Sequence, residues 1–131
     1  MSKIRASVLD IKSSGNLNIV RFAHQKQTLL MASLGLKDIK PHDQVILNIK
    51  SSHIGLAKNF SGITGFENEL DVGVTSFDVG ELLCVVRVDL DGDILECLLT
   101  RGAFDRLSLE KGEMIKAFIL ASEISIQEVL S

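Results

Sequence analysis

The sequence predicts an all-β protein built from two tandem OB-like small β-barrels, each with a short helical turn. The first observation is an internal repeat, in which residues 44–54 align with residues 114–124 at a shift of 70 (114 − 44 = 70). The second is that short apolar stretches alternate with turn residues in both halves of the chain. Five short strands and one helical turn per half are typical of an OB-type barrel. A half of about 60 residues buries only about 60% of its unfolded surface, so we expect the halves to need each other or partner chains.

In the first half, the predicted strands are separated by turn signals. Residues 13–16 (Ser-Ser-Gly-Asn) favour a turn between the first two strands. A helical turn is predicted over Leu34–Ile39, closed by Lys40 and Pro41. The predicted strands are Ala6–Lys12, Leu17–Phe22, Thr28–Ser33, Gln44–Lys50 and Ile54–Leu56.

The second half repeats this pattern with a few additional residues. Asp91 and Gly92 lie between two apolar stretches and predict a two-residue hairpin turn, because both residues tolerate positive φ. A helical turn is predicted over Ala103–Leu107, and residues 58–69 resemble a linker. The predicted strands are Val72–Val79, Leu82–Leu90, Ile94–Thr100, Met114–Leu120 and Ile124–Ile126.

The composition argues against nucleic acid and the membrane as partners. The net charge is -3, and the six aromatic residues are all Phe and scattered, so neither a basic face nor a stacking platform is expected. No uninterrupted apolar stretch approaches the roughly 20 residues of a membrane span. The residues after Met1 do not form the apolar run of a signal peptide, which predicts a cytoplasmic protein. With 46% hydrophobic residues, we expect some apolar surface to be buried between subunits of a homo-oligomer.

The two cysteines are predicted to be neighbours on one face of the second half. A hairpin at residues 91–92 pairs Cys84 with Leu99 and Cys97 with Val86, which makes the thiols diagonal neighbours. A disulfide is conceivable, but buried thiols are favoured in a cytosolic protein.

No residue pattern indicates an enzyme or a metal site. Residues 89–100 superficially resemble a calcium loop, but Ile94 stands where that loop needs Gly and Thr100 where it needs an acidic residue. The three histidines, at positions 24, 42 and 53, are far apart in the sequence and are interpreted as surface residues. We therefore expect no enzyme, no metal and no cofactor.

The repeated sequence resembles the Mop module, also called the TOBE domain, of the molbindin family. In the first half the resemblance is carried by residues 28–33, 36–45 and 49–58, and in the second by residues 97–100, 109–115 and 119–122. Two tandem copies are the layout of a molbindin. On this resemblance, residues 1–58 are a first module, 59–69 a linker and 70–131 a second module. The resemblance implies OB-like barrels that form a symmetric oligomer and bind molybdate or tungstate between modules.

The resemblance also implies which side chains bind the oxyanion. A tetrahedral dianion without protons only accepts hydrogen bonds, so its site is expected to present hydroxyl, ammonium and N–H donors and no carboxylate. Lys50, Ser51 and Ser52 supply three such side chains in succession at the end of a strand. The further candidates are Ser33, Thr100 and Ser122, with Asn68 in the family's N-terminal segment.

The second copy departs from the family pattern. Glu67 stands where the family has Arg, and Leu120 stands where the first copy has Lys50. The expectation is an oxyanion-binding protein for storage, buffering or homeostasis whose site depends mainly on the first copy. The alternative is a regulatory or accessory TOBE module that binds no anion and acts by contact with a molybdate transporter or regulator.

Overall fold

The computed structural model describes residues 2–36 and 38–131, and it is mostly β. Within these residues it has ten strands, one α-helix and two 3₁₀ turns. The first half contains β1 (Ser2–Ser14), β2 (Leu17–His24), β3 (Gln27–Leu34), β4 (Gln44–Ile49), the first 3₁₀ turn (Ser51–His53) and β5 (Gly55–Ala57). The second contains β6 (Asn68–Val79), β7 (Leu83–Leu90), β8 (Asp93–Thr100), α1 (Arg101–Leu107), β9 (Met114–Ile119), the second 3₁₀ turn (Ala121–Glu123) and β10 (Ile124–Val129).

The strands form two five-stranded antiparallel sheets that exchange their last strands. Sheet A has the order β10-β4-β1-β2-β3, and sheet B has the order β5-β9-β6-β7-β8. Ser125 of β10 pairs with Asn48 of β4, and Gly55 of β5 pairs with Phe118 of β9. Each sheet is therefore completed by a strand from the other half of the chain.

The predicted hairpin between β7 and β8 is confirmed. Asp91 and Gly92 form its turn with φ of 46° and 106°, and the Gly92 amide donates to the Asp89 carboxylate at 3.1 Å. Cys84 pairs with Leu99, as the sequence predicts.

The helical turn predicted for the second half is present, whereas the one predicted over Leu34–Ile39 is wrong for residues 34–36 and 38–39. Thr100 caps α1 by accepting a hydrogen bond from the Ala103 amide at 3.2 Å. In the first half, Leu34 instead stays in β3, paired with Leu17. Gly35 then takes φ of +71°, and its amide donates to the Asn16 carbonyl at 3.0 Å, so the chain turns without starting a helix.

Both sheets contribute to one apolar core. Side chains from alternate positions of the strands fill it, and most of them are fully buried. The largest buried members are Phe22, Ile4, Leu29, Met31, Leu47, Ile49, Leu70, Leu90, Leu95 and Ile119. Because this core is continuous, the two halves stabilise each other.

Polar side chains join the two halves at the edges of β3 and β8. The Asn68 side chain bonds the backbone of Leu30 in β3, and the Ser2 hydroxyl accepts from the Glu96 amide of β8 at 2.8 Å. His24 was interpreted from the sequence as a surface residue, but it is buried between the halves. Its Nδ1 lies 2.9 Å from the Arg5 carbonyl oxygen and its Nε2 lies 2.9 Å from that of Leu90. The Asn68 and Ser2 contacts satisfy backbone groups that would otherwise lie unpaired between the halves, and a neutral His24 ring can donate to one of its two carbonyl neighbours.

Both cysteines are buried free thiols. Burial raises the pKa of the Cys97 thiol to about 12, and the charge of the neighbouring Glu96 adds to this effect. The thiol therefore stays protonated at neutral pH and unreactive in the folded protein.

In the part of the chain that the structure describes, no helix is long and apolar enough to cross a membrane.

Candidate functional site

The two 3₁₀ turns meet where the halves of the chain join. The first turn follows β4 and the second follows β9, and the repeat makes Lys50, Ser52 and His53 equivalent to Leu120, Ser122 and Glu123. The His53 imidazole Nδ1 lies 2.7 Å from the Glu123 carboxylate. Equivalent positions thus carry opposite charges and form an ion pair when the imidazole is protonated.

A polar cavity of about 180 Å³ lies beside this pair. Its two walls come from opposite halves, because β4 and its turn supply one wall and the second turn and β10 supply the other. The lining residues are Asn48, Lys50, His53, Ser122, Glu123 and Ser125.

Several side chains that line the cavity can donate hydrogen bonds to a ligand. Among the described residues, the Lys50 ammonium has no hydrogen-bond or ion-pair partner, and Ser122 and Ser125 are exposed hydroxyls. The buried side-chain oxygen of Asn48 has no hydrogen-bond partner in the described structure either. Asn48 also carries an NH₂ group, so this side chain can serve as a donor.

The equivalent region on the other side is apolar and filled. Phe118 and Gly55 replace Asn48 and Ser125 there, since the pairing of β5 with β9 repeats that of β10 with β4. The Phe118 ring packs against Phe60 at 5.1 Å and Phe66 at 5.5 Å between ring centroids. The polar cavity at Lys50 therefore has no polar counterpart at this position.

Glu67, which stands where the resemblance led us to expect Arg, binds the backbone of the second turn. Its carboxylate accepts a hydrogen bond from the Ala121 amide at 2.7 Å. The Glu67 carboxylate, a group of the protein itself, thus accepts the hydrogen bond of the first N–H of this turn.

Of the residues expected from the sequence, Lys50 and Ser122 line the polar cavity. Ser52 is exposed on the first turn, and Ser51 is half-buried beside it. Ser33 lines an adjoining, more apolar cavity that shares Ser125 with the polar one, and its hydroxyl donates to the Gly35 carbonyl at 2.8 Å.

Thr100 and Asn68 lie elsewhere and have structural partners. Thr100 caps α1, as described above. Asn68 is 1% exposed; its NH₂ group donates to the carbonyls of Leu30 and Ile119 at 2.9 and 3.1 Å, and its oxygen accepts from the Leu30 amide at 2.7 Å. A contact between Asn68 and an anion would require one of the two donated bonds to be released.

Four residues that line the polar cavity were not predicted from the sequence: Asn48, His53, Glu123 and Ser125. The sequence does contain a signal for two of them. The repeat aligns His53 with Glu123, so equivalent positions carry a basic and an acidic side chain. Asn48 and Ser125 could not be found in this way, because their pairing follows from the exchange of β10 into sheet A.

One sequence model and one solved structure are similar to this chain. Residues 66–126 match the sequence model of the TOBE domain. This match confirms the resemblance to the TOBE domain for the second half of the chain. No curated protein matches the sequence. Among solved structures, the cytoplasmic molybdate-binding protein ModG, in a form with molybdate bound, is similar at a TM-score of 0.88 and 19% identity. The match covers 95% of this chain and 93% of that one, which shows that the two share their fold.

Proposed function

We propose that this TOBE protein binds molybdate or tungstate and serves storage, buffering or homeostasis of the oxyanion in the cytoplasm. The observation that carries the proposal is the polar cavity between the two turns, with two exposed hydroxyls and a Lys50 ammonium that has no partner among residues 2–36 and 38–131. The TOBE match and the fold shared with a molybdate-binding protein support the choice of ligand. Such a protein binds and releases its ligand, so it needs neither catalysis nor a cofactor.

The chemistry of the cavity suits a tetrahedral oxyanion. Each oxygen of such an anion accepts hydrogen bonds, and charge-assisted bonds from an ammonium are the strongest available. In the proposed site Lys50 supplies charge, Ser122 and Ser125 supply hydroxyls, and Asn48 supplies an amide. Ser51 and Ser52 lie on the first turn and Ser33 lines the adjoining cavity, so these hydroxyls are nearby candidates. Thr100 and Asn68 lie outside the proposed site and are held by structural partners.

We further propose two tandem Mop modules, residues 1–58 and 70–131 with the linker 59–69, as the units of the fold. The exchange of β5 and β10 supports this arrangement, because it joins the modules reciprocally. On this proposal the module pair keeps one polar site and fills the equivalent position with phenylalanine rings.

Titration calorimetry with molybdate, tungstate, sulfate and phosphate tests the proposal. We expect binding of the first two and a tenfold to hundredfold loss of affinity in Lys50→Ala, because removing a charge-assisted donor costs about 1.5–3 kcal/mol. Lys26→Ala is the matched control, since Lys26 is exposed in the turn between β2 and β3, outside the cavity. An absence of binding heat with both molybdate and tungstate would refute the proposal.

A second candidate is a regulatory or accessory TOBE module that binds no anion. The filled position at Phe118 and the carboxylate of Glu123 in the polar cavity favour it. An unchanged melting temperature in the presence of all four anions, with capture of a molybdate transporter or regulator subunit, would support this candidate.

Self-association accompanies the leading proposal. Several large apolar side chains are solvent-exposed, among them Leu34 at 80% and Leu82 at 78%. Burial of such side chains between copies of the chain would stabilise a homo-oligomer. Light scattering at micromolar concentration is expected to give a mass above that of the 14.3 kDa chain.

A further inference from the structure

The polar cavity contains a carboxylate, although a fully deprotonated oxyanion is best served by donors alone. Glu123 lines the cavity together with Lys50, so the fixed charges of the two side chains cancel. A dianion that enters the cavity therefore meets no net positive charge from this pair. The site needs another source of positive charge at the moment of binding.

His53 is placed to supply that charge. Its Nδ1 lies 2.7 Å from the Glu123 carboxylate, and both side chains line the cavity and are about one-third exposed, at 34% and 35%. An imidazole changes its charge between about pH 5 and pH 8, so it can gain a proton under physiological conditions. A protonated His53 neutralises Glu123 and leaves the Lys50 ammonium for the anion.

We propose that the anion is bound together with one proton, which His53 takes up, and that Glu123 is the residue that imposes this requirement. The inference rests on the proposed function, because the ligand is the same oxyanion in the same cavity. The binding equilibrium is thereby linked to pH. The anion binds when His53 holds a proton and thereby neutralises Glu123. The affinity is highest at low pH and falls as His53 loses its proton.

The other charged groups near the first turn are engaged elsewhere. β8 packs against this turn and carries two acidic residues, Asp93 and Glu96. The Glu96 carboxylate is paired with the Arg87 guanidinium at 3.1 Å, and that of Asp93 lies 3.5 Å from His24 Nε2. Lys50, at the start of the turn, and Glu123, on the facing turn, are thus the charged groups that line the cavity with His53.

The experiment is calorimetric titration with molybdate between about pH 6 and pH 8.5, in pairs of buffers that differ in their heat of ionisation. For the wild-type protein we expect proton uptake on binding and a dissociation constant that rises by up to about tenfold per pH unit at the alkaline end. His53→Gln is expected to bind without proton uptake and with a pH-independent affinity close to the alkaline value of the wild type. Glu123→Gln is expected to bind at least about tenfold more tightly at pH 8.5, because a like charge is removed from beside the ligand.

His42→Asn is the matched control, since His42 is exposed in a turn at φ of 78°, a conformation that Asn tolerates. It should retain the proton uptake and pH dependence of the wild type. Thermal melts without ligand check that all three variants fold. Binding without proton uptake in the wild type, or wild-type pH dependence in His53→Gln, overturns this inference and leaves the proposed function standing. An absence of binding at every pH refutes both.

Discussion

Replacing Asn68 with Asp tests whether this side chain joins the two halves of the chain by donating hydrogen bonds. Asn68 is buried, and its NH₂ group donates to two carbonyl oxygens, of Leu30 and Ile119. Asp has the same shape but no NH₂ group, so Asn68→Asp turns both donated bonds into contacts between a carboxylate and carbonyl oxygens. The bond that Asn68 accepts from the Leu30 amide at 2.7 Å is retained.

The loss of stability follows from these contacts. An uncompensated buried charge destabilises a protein by about 3–5 kcal/mol, so we expect a loss of this size at neutral pH. Asn68→Ala removes all three bonds without adding a charge and is expected to lose about 2–4 kcal/mol, since each unsatisfied buried group costs about 1–3 kcal/mol. The Asp variant is therefore the less stable of the two at neutral pH.

The pH dependence separates the two variants further. Burial against carbonyl oxygens raises the folded-state pKa of the new carboxyl above its unfolded value of about 3.9, because the neutral form is preferred and can donate one bond. The penalty is thus small below about pH 4 and grows by about 1.4 kcal/mol per pH unit up to the folded-state pKa. Lowering the pH should stabilise Asn68→Asp relative to the wild type, whereas the deficit of Asn68→Ala should stay constant.

Urea unfolding of the three proteins at about pH 7.5 and about pH 4.5 measures these differences. A deficit of 3 kcal/mol also lowers the melting temperature by roughly 10 °C in a chain of this size. The reasoning is refuted if Asn68→Asp unfolds at the wild-type urea concentration at pH 7.5, or if its deficit does not shrink on acidification.

Three further changes test local features of the fold. Thr100→Ala removes the cap of α1 and should lower the unfolding free energy by about 1 kcal/mol, with Thr28→Ala, an exposed position in β3, as the control in the same urea assay. Gly92→Ala should destabilise the β7–β8 hairpin by about 1–2 kcal/mol, because Gly92 has φ of 106° and a side chain there is strained; thermal melting without a shift would contradict this. The Cys97 thiol should not react with a disulfide reagent at about pH 8 in the native protein, since burial raises its pKa to about 12, and both thiols should react after unfolding; labelling of Cys97 in the folded state would contradict its burial.

Much of the fold was predictable because it depends on local patterns. Alternation of apolar and polar residues places the strands, and residue types that tolerate positive φ place the β7–β8 turn. The prediction of a helical turn over Leu34–Ile39 was wrong for residues 34–36 and 38–39, because Gly35 follows β3 in a left-handed conformation. A helical pattern of six residues is too short to overcome this. The second half keeps its helix, since Thr100 supplies a cap before Arg101.

The candidate site was predictable only in part. Of the residues that the resemblance to the Mop module implies, Lys50 and Ser122 line the polar cavity. The role of Asn68 could not be read from the sequence, because the carbonyl groups it binds belong to strands 38 and 51 residues away.

By itself the sequence determines two β-rich repeats, the positions of their strands and the loss of polar residues from the second copy, since these depend on side-chain type and local spacing. Only the tertiary structure decides that β5 and β10 exchange sheets and that the two 3₁₀ turns face each other. Strand exchange depends on the free energy of long-range pairing, for which a local pattern carries no information. That pairing brings Ser122, Glu123 and Ser125 to Lys50, and so forms a cavity lined by both an ammonium and a carboxylate.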